Sequence, residues 1–152
     1  GAPRFALLTP GPNSETYFEH AYLARYLGLP LVEGADLAVR DDKLYLKTMH
    51  GLQRIHGLLR RLDDDFCDPL ELRADSSLGV PGLLQAIRAG SVVMANALGT
   101  SFLESPAVQG FLPAISEYLL NEPLKTPSLN TWWCGEIAAW QDIAPDLPRT
   151  QR

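Results

Sequence analysis

Cysteine is scarce in this sequence, and so is any pattern for using it. Cys67 and Cys134 are the only two, they lie far apart, and no CxxC pair exists. A disulfide framework is therefore not expected, and the pair reads as two reduced, mostly packed thiols, with a disulfide or a reactive thiol as the alternative. Basic runs are equally short. None exceeds Arg60-Arg61, and the net charge of −5 with a pI near 5.1 sets nucleic-acid recognition aside. No stretch approaches the roughly 20 apolar residues that span a bilayer, so no membrane partner is expected. The start, Gly1-Ala2-Pro3-Arg4-Phe5, lacks a basic segment followed by an apolar one, so no secretory leader is read and the expected location is cytoplasmic. Gly1-Ala2 in place of an initiator Met leads to the expectation of a chain cut from a longer parent. The phosphate loops GxxxxGKS/T and GxGxxG, which offer backbone amides to nucleotides, are missing, as are HExxH and GxSxG. His20, His50 and His56 show no metal-ligand spacing. No repeat or low-complexity tract is present.

What remains is ordinary globular material. At 152 residues, 46% hydrophobic and 20% charged, the chain fits one soluble domain with one core. Phe5 to Thr9 is a short apolar run stopped by Pro10-Gly11-Pro12, which reads as a buried strand and a tight turn. A helix follows, with Thr16 and Glu19 at capping-box spacing and Tyr17, Ala21, Ala24 and Leu27 on one face. Gly28 and Pro30 end it, and Leu31-Val32 is the next strand, so strand, helix and strand form a parallel unit. Residues 37–40 and 43–47 alternate around Asp41-Asp42 and predict a hairpin. Ile55 to Leu59 is another apolar run, ending in Arg60-Arg61. Residues 63–77 read as a long loop. Pro81 opens a helix that Gly90 closes, Ser91 to Ala95 is a strand, and Ser105-Pro106 starts a helix that Pro113 kinks or restarts. The expectation is an α/β fold with a mostly parallel sheet and a β-hairpin insertion, one domain over 1–135 and an irregular tail over 136–152.

Three segments carry candidate chemistry. Pro10 to Glu15 joins the first strand to a helix, the edge where open α/β sheets receive ligands, so Gly11 and Asn13 are candidate contacts beside the simpler reading of a turn. Asn96 to Ser105 is a second strand-to-helix turn, and Gly99 offers an amide there. Arg60-Arg61-Leu62-Asp63-Asp64-Asp65-Phe66 is the most informative. Arginine grips a carboxylate with a two-pronged fork, while neighbouring acids bind an ammonium group or hold the arginines in place. That combination suits an amino acid or peptide, with Arg60, Arg61, Asp63 and Asp65 as contacts. A structural ion-pair network remains the alternative. No metal site is expected, because the side chains of three adjacent Asp point different ways. Trp132-Trp133-Cys134-Gly135 reads as an anchor that packs the tail or meets a further domain.

Several phrases together are specific. They are Leu-Thr-Pro-Gly-Pro (8–12), Glu-Thr-Tyr-Phe-Glu-His-Ala-Tyr-Leu-Ala-Arg-Tyr-Leu-Gly (15–28), Leu-Val-Glu-Gly-Ala-Asp-Leu (31–37), Leu-Arg-Arg-Leu-Asp-Asp-Asp-Phe-Cys-Asp-Pro-Leu-Glu-Leu-Arg (59–73) and Thr-Trp-Trp-Cys-Gly (131–135). The chain resembles, from about Phe5 to Gly135, the central region of the bacterial circularly permuted ATP-grasp proteins of type 2. The resemblance implies a Rossmann-like, three-layer pre-ATP-grasp domain. ATP-grasp enzymes phosphorylate a carboxylate, which an amine or thiol then attacks, and the pre-ATP-grasp domain helps hold the substrate. The related glutathione synthetases carry a basic residue, then an Asp and a Phe, in a place similar to Arg61-Leu62-Asp63-Asp64-Asp65-Phe66. Here acids stand where those enzymes have prolines. The resemblance places ATP and magnesium in a missing ATP-grasp domain of the parent and gives this chain no cofactor site or catalytic residue of its own. The reading is thus the substrate-side domain of a carboxylate–amine or carboxylate–thiol ligase. The alternative is an interaction or scaffold module of a degenerate relative.

Overall fold

The computed structural model describes residues 2–126 and 128–146. The chain divides into two compact units, Gly1–Gly99 and Thr100–Arg152. The sequence expectation draws one domain over 1–135, whereas the division falls after Gly99.

The first unit holds a parallel sheet of four strands. Strand β1 (Phe5–Leu8) leads through helix α1 (Tyr17–Leu27) to β2 (Leu31–Val32). Ala6, Leu7 and Leu8 are fully buried, as expected of a central parallel strand whose two faces are both covered. Gly28 takes the left-handed conformation (φ 67°) and its N–H reaches the Ala24 and Arg25 carbonyls, closing the helix. Two expectations about α1 need correction. Thr16 makes no side-chain cap to the helix backbone, and the buried positions are His20 and Ala24, with Leu27 exposed. The buried stripe therefore runs through a histidine at four-residue spacing.

Strands β3 (Leu37–Arg40), β4 (Lys43–Thr48) and β5 (Gly51–Ile55) form a separate antiparallel sheet. Asp41 and Asp42 both have positive φ (48° and 56°), which gives the β3–β4 turn the twist a two-residue hairpin needs. The expected hairpin is thus a three-stranded meander. Its third strand escapes the sequence reading because Gly51-Leu52-Gln53-Arg54 lies outside the apolar run that begins at Ile55. That run is itself split. Ile55 ends β5, His56 intervenes, and β6 (Gly57–Arg60) joins the parallel sheet.

The long loop over 63–77 contains a 3₁₀ turn at Asp64–Phe66, and helix α2 (Leu83–Arg88) then leads to β7 (Val93–Ala95). The sheet order is β2-β1-β6-β7, with every neighbour parallel. One core joins both sheets. Ala6, Leu8, Val32 and Leu58 of the parallel sheet pack with Leu37, Leu44 and Ile55 of the meander and with Leu83 and Ala86 of α2. Asp68 is fully buried and satisfied, because its carboxylate accepts the backbone N–H of Leu70 (2.9 Å), Gly82 (3.2 Å) and Leu84 (2.9 Å). It ties the loop to the start of α2. Two glycines let backbone lie on backbone here. A Cβ on Gly34 would strike the Leu78 carbonyl, and one on Gly79 would strike the Phe66 carbonyl.

The second unit contains α3 (Pro106–Gln109), α4 (Leu112–Leu120) and α5 (Ile137–Ile143). Pro113 sits in the first turn of α4, where its missing N–H costs nothing, so it restarts the helix. Trp133 packs on Phe111 with ring centres 6.2 Å apart, and Trp132 Nε1–H donates to Asp142 at 2.9 Å. The pair is thus used within its own unit. The expected irregular tail carries α5 in its described part, and residues 147–152 lie outside the described residues.

Candidate functional site

Strand order decides where a ligand can sit. From β1 the chain crosses through α1 to β2 on one side, and from β6 it crosses through α2 to β7 on the other. The crossovers diverge between β1 and β6, leaving a crevice at the carboxyl ends of those two strands. A cleft of about 570 Å³ lies there, lined by Pro10, Asn13, Ser14, Glu15 and Thr16 from the β1–α1 turn, by Arg61, Leu62, Asp63 and Phe66 after β6, and by Leu78. Leu62, Phe66, Leu78 and Pro10 give it an apolar wall. Among the described residues, Arg61 is the only cation lining it; Glu15 and Asp63 are its acids.

The two adjacent arginines have different fates. Arg60 pairs with Leu8 and so lies on the same face of the sheet as the core residues Leu8 and Leu58. Its guanidinium meets Asp64 Oδ1 at 2.5 Å, with only 11% and 12% of the two side chains exposed. It also donates to the carbonyls of Leu62 (2.5 Å), Asn96 (3.1 Å) and Ala97 (3.4 Å). Asp64 Oδ2 in turn accepts the Gly99 N–H at 2.8 Å. Arg60 and Gly99 are therefore joined in a clamp that fastens the end of β6 to the turn after β7, and neither lines the cleft. Arg61 continues past the strand. Its backbone N–H donates to the Leu8 carbonyl at 2.9 Å, and its side chain reaches the rim of the cleft, where it pairs with Glu19 of α1. That pair is open to solvent, with side chains 35% and 59% exposed.

Of the other candidates, Asn13 and Asp63 line the cleft. Asp65 is exposed and outside it, close enough to Arg73 to act on its charge. Gly11 is buried beside the cleft with φ 102°, and its N–H is taken by the Thr9 hydroxyl at 3.3 Å. The Glu33 carboxylate stands so close that a Cβ on Gly11 would meet it at 3.0 Å.

Beneath the turn lies a group that the sequence reading passes over. His20 is buried, with Nδ1 hydrogen-bonded to the Thr9 hydroxyl (2.9 Å) and Nε2 to the Thr16 hydroxyl (3.1 Å). Burial holds its pKa below 6.5, the positive charge of Arg61 lowers it further, and Glu19 opposes. The ring is neutral at physiological pH and pins the β1–α1 turn from below. The Thr16–His20 spacing of one helical turn was the sequence signal for it. Glu19 was legible as an N3 acid, but its partner 42 residues away was not. Cys67, under the Arg60 clamp, has its thiol pushed up to about 11 by burial, which makes it inert.

At the turn, the Gly11 amide goes to the Thr9 hydroxyl and the Glu33 carboxylate stands beside the glycine. Among the described residues no three His, Cys, Asp or Glu side chains are grouped to hold a metal ion. Also among them, no helix is long and apolar enough to cross a membrane.

Residues 1–150 match the family model described as circularly permuted ATP-grasp type 2. An uncharacterized protein of Mycobacterium tuberculosis is 48% identical over 133 residues, which is 88% of this chain and 15% of the relative. One from a Synechocystis strain is 45% identical over 133 residues, covering 88% of this chain and 28% of the relative. A second M. tuberculosis protein is 43% identical over 132 residues, 87% of this chain and 24% of the relative. The chain thus spans between about a seventh and somewhat over a quarter of the curated relatives it matches.

Proposed function

The chain belongs to the circularly permuted ATP-grasp type 2 family, and from that premise we propose that it is the substrate-side, Rossmann-like pre-ATP-grasp portion of a longer cytoplasmic carboxylate–amine or carboxylate–thiol ligase. Alone it performs no turnover. The parent's ATP-grasp domain would carry MgATP, activate the substrate carboxylate and be this portion's main partner. The observation that carries the reading is the cleft at the divergence of β1 and β6, with Arg61 set against Glu15 and Asp63 across an apolar wall. An arginine beside two acids suits a ligand bearing one carboxylate and one ammonium group, an amino acid or a short peptide. Arg61 takes the carboxylate, Asp63 or Glu15 takes the ammonium, and Asn13 contributes hydrogen bonds from the turn.

Titration with glycylglycine, followed by amide NMR, tests this. Shifts confined to the Asn13–Thr16 and Arg61–Asp63 amides are expected, and MgATP should move none of them. Saturable MgATP binding at the Gly11 turn, or peptide shifts elsewhere only, would overturn the reading.

A second reading is favoured by the second unit, where Leu119, Leu120, Leu129 and Ile137 are exposed among described residues. Unpartnered apolar side chains of this density mark a protein interface, so this unit would serve as a docking module. Loss of partner capture on Leu119→Ser with Ile137→Ser, without loss of peptide binding, separates the two readings.

A further inference from the structure

We infer that Glu19 is a built-in competitor for the substrate carboxylate, and so sets what the cleft will accept. The inference rests on the proposed role of Arg61 as the carboxylate grip. Among the described residues Arg61 is the only cation lining the cleft, and its guanidinium is already held by the Glu19 carboxylate. Glu19 reaches it from the first turn of α1, across the rim from the β6 end. At helix position N3 an acid can fold back onto the cap residue. Here it does not: the Thr16 N–H donates to the Ser14 hydroxyl, the Thr16 hydroxyl bonds to His20, and Glu19 pairs with Arg61.

The consequence follows from exchange. A ligand carboxylate entering the cleft replaces one carboxylate on Arg61 with another. The swap gains little, since the arginine is paired before and after. Net affinity must then come from the rest of the ligand: an ammonium against Asp63 or Glu15, or an apolar part against Phe66 and Leu78. Plain carboxylates and inorganic anions are held off, while amino acids and peptides bring the second contact. Glu19 raises the dissociation constant of every ligand that places an anionic group on Arg61 by one common factor and leaves ligands without such a group untouched. It does so without touching the bound ligand, so it is a specificity-setting residue and not a catalytic one.

The test compares glycylglycine with glycylglycinamide, which lacks the carboxylate, on the full chain and on Glu19→Gln and Arg61→Ala. Glu19 is exposed, so the glutamine variant keeps the fold. Glycylglycine should bind Glu19→Gln about two- to fivefold more tightly than the parent chain, the range set by an exposed ion pair. Glycylglycinamide should bind no better. Equal glycylglycine binding by the parent chain and Glu19→Gln, with loss in Arg61→Ala, overturns the role of Glu19 and leaves the Arg61 site standing. Glycylglycine binding that survives Arg61→Ala, or is absent from all three proteins, overturns the Arg61 site and the role of Glu19 with it.

Discussion

Replacing Arg60 and Arg61 in turn by alanine should give opposite results, although the two are neighbours in sequence. Arg60→Ala removes one half of a pair whose side chains are 11% and 12% exposed, and strands Asp64 with only the Gly99 amide. Breaking a buried pair from one side costs about 3–5 kcal/mol, a large part of the roughly 5–15 kcal/mol that holds a domain folded. With a urea m-value of about 2 kcal/mol/M, the unfolding midpoint should fall by about 2 M. Arg61→Ala breaks an exposed pair worth at most about 1 kcal/mol, so its midpoint should move by no more than about 0.5 M. Far-UV circular dichroism is the suitable probe, supported by hydrogen exchange at the β6 amides. Tryptophan fluorescence reports on the second unit, where Trp132, Trp133 and Trp140 all lie. Arg60→Lys should fall between, since one ammonium group cannot serve a carboxylate and three separated carbonyls at once. The reasoning fails if the two alanine variants shift the midpoint equally. It also fails if folded Arg60→Ala loses glycylglycine while Arg61→Ala keeps it.

Further outcomes follow from the same geometry. His20 has a folded pKa below 6.5, so the unfolded chain takes up a proton first as pH falls, and this group's contribution to stability is lost below about pH 6.5. An NMR titration of its ring should show an apparent pKa that rises in Arg61→Ala and falls further in Glu19→Gln; no response to either change would break the proposed coupling. Cys67, with its thiol raised from 9.0 to about 11, favours folding while protonated. Its contribution is complete below about pH 9 and declines as pH climbs toward about 11, because the unfolded chain loses the proton first. Ellman's reagent at pH 8 should therefore label the exposed Cys134 quickly and Cys67 only after denaturant is added. Asp68→Ala leaves three backbone N–H groups unpaired and should cost about 3–5 kcal/mol by urea melt, using the roughly 1–3 kcal/mol cost of each unsatisfied group discounted for relaxation.

Local chemistry made much of the fold legible. Gly28 and Pro30 announce the end of α1, and Asp41-Asp42 announces the β3–β4 turn, because each signal acts within a few residues. What stayed hidden depended on partners far along the chain. Arg60 ends β6 on the face it shares with Leu8 and Leu58, and Arg61 lies past the strand, a difference set by the register of β6 against β1. Gly99 emerged from the sequence as a possible ligand contact; its amide instead completes the Asp64 clamp 35 residues away. Meander strand β5 lacks a run of alternating apolar residues and is held in place by its partner β4. The cleft itself was half visible. Asn13, Arg61 and Asp63 line it, whereas Glu19 meets Arg61 and His20 pins the turn below it only because α1 begins where it does.

Gly34, after β2, and Gly79, after the long loop, give the backbone around residues 66–79 a property that bears on mutational tolerance. In a saturation scan selected for folding, both should be as intolerant as any residue of an active centre. A methyl group at Gly34 would also press the Gly79 carbonyl at 2.6 Å, and one at Gly79 the Cys67 carbonyl at 2.6 Å. Backbone cannot yield as a flexible side chain does. Arg61 and Asn13, by contrast, should accept nearly any replacement in the same scan. For this chain, the positions that resist change most strongly would map the seam where two stretches of main chain touch, and the positions that bind would surface only under selection for the ligand.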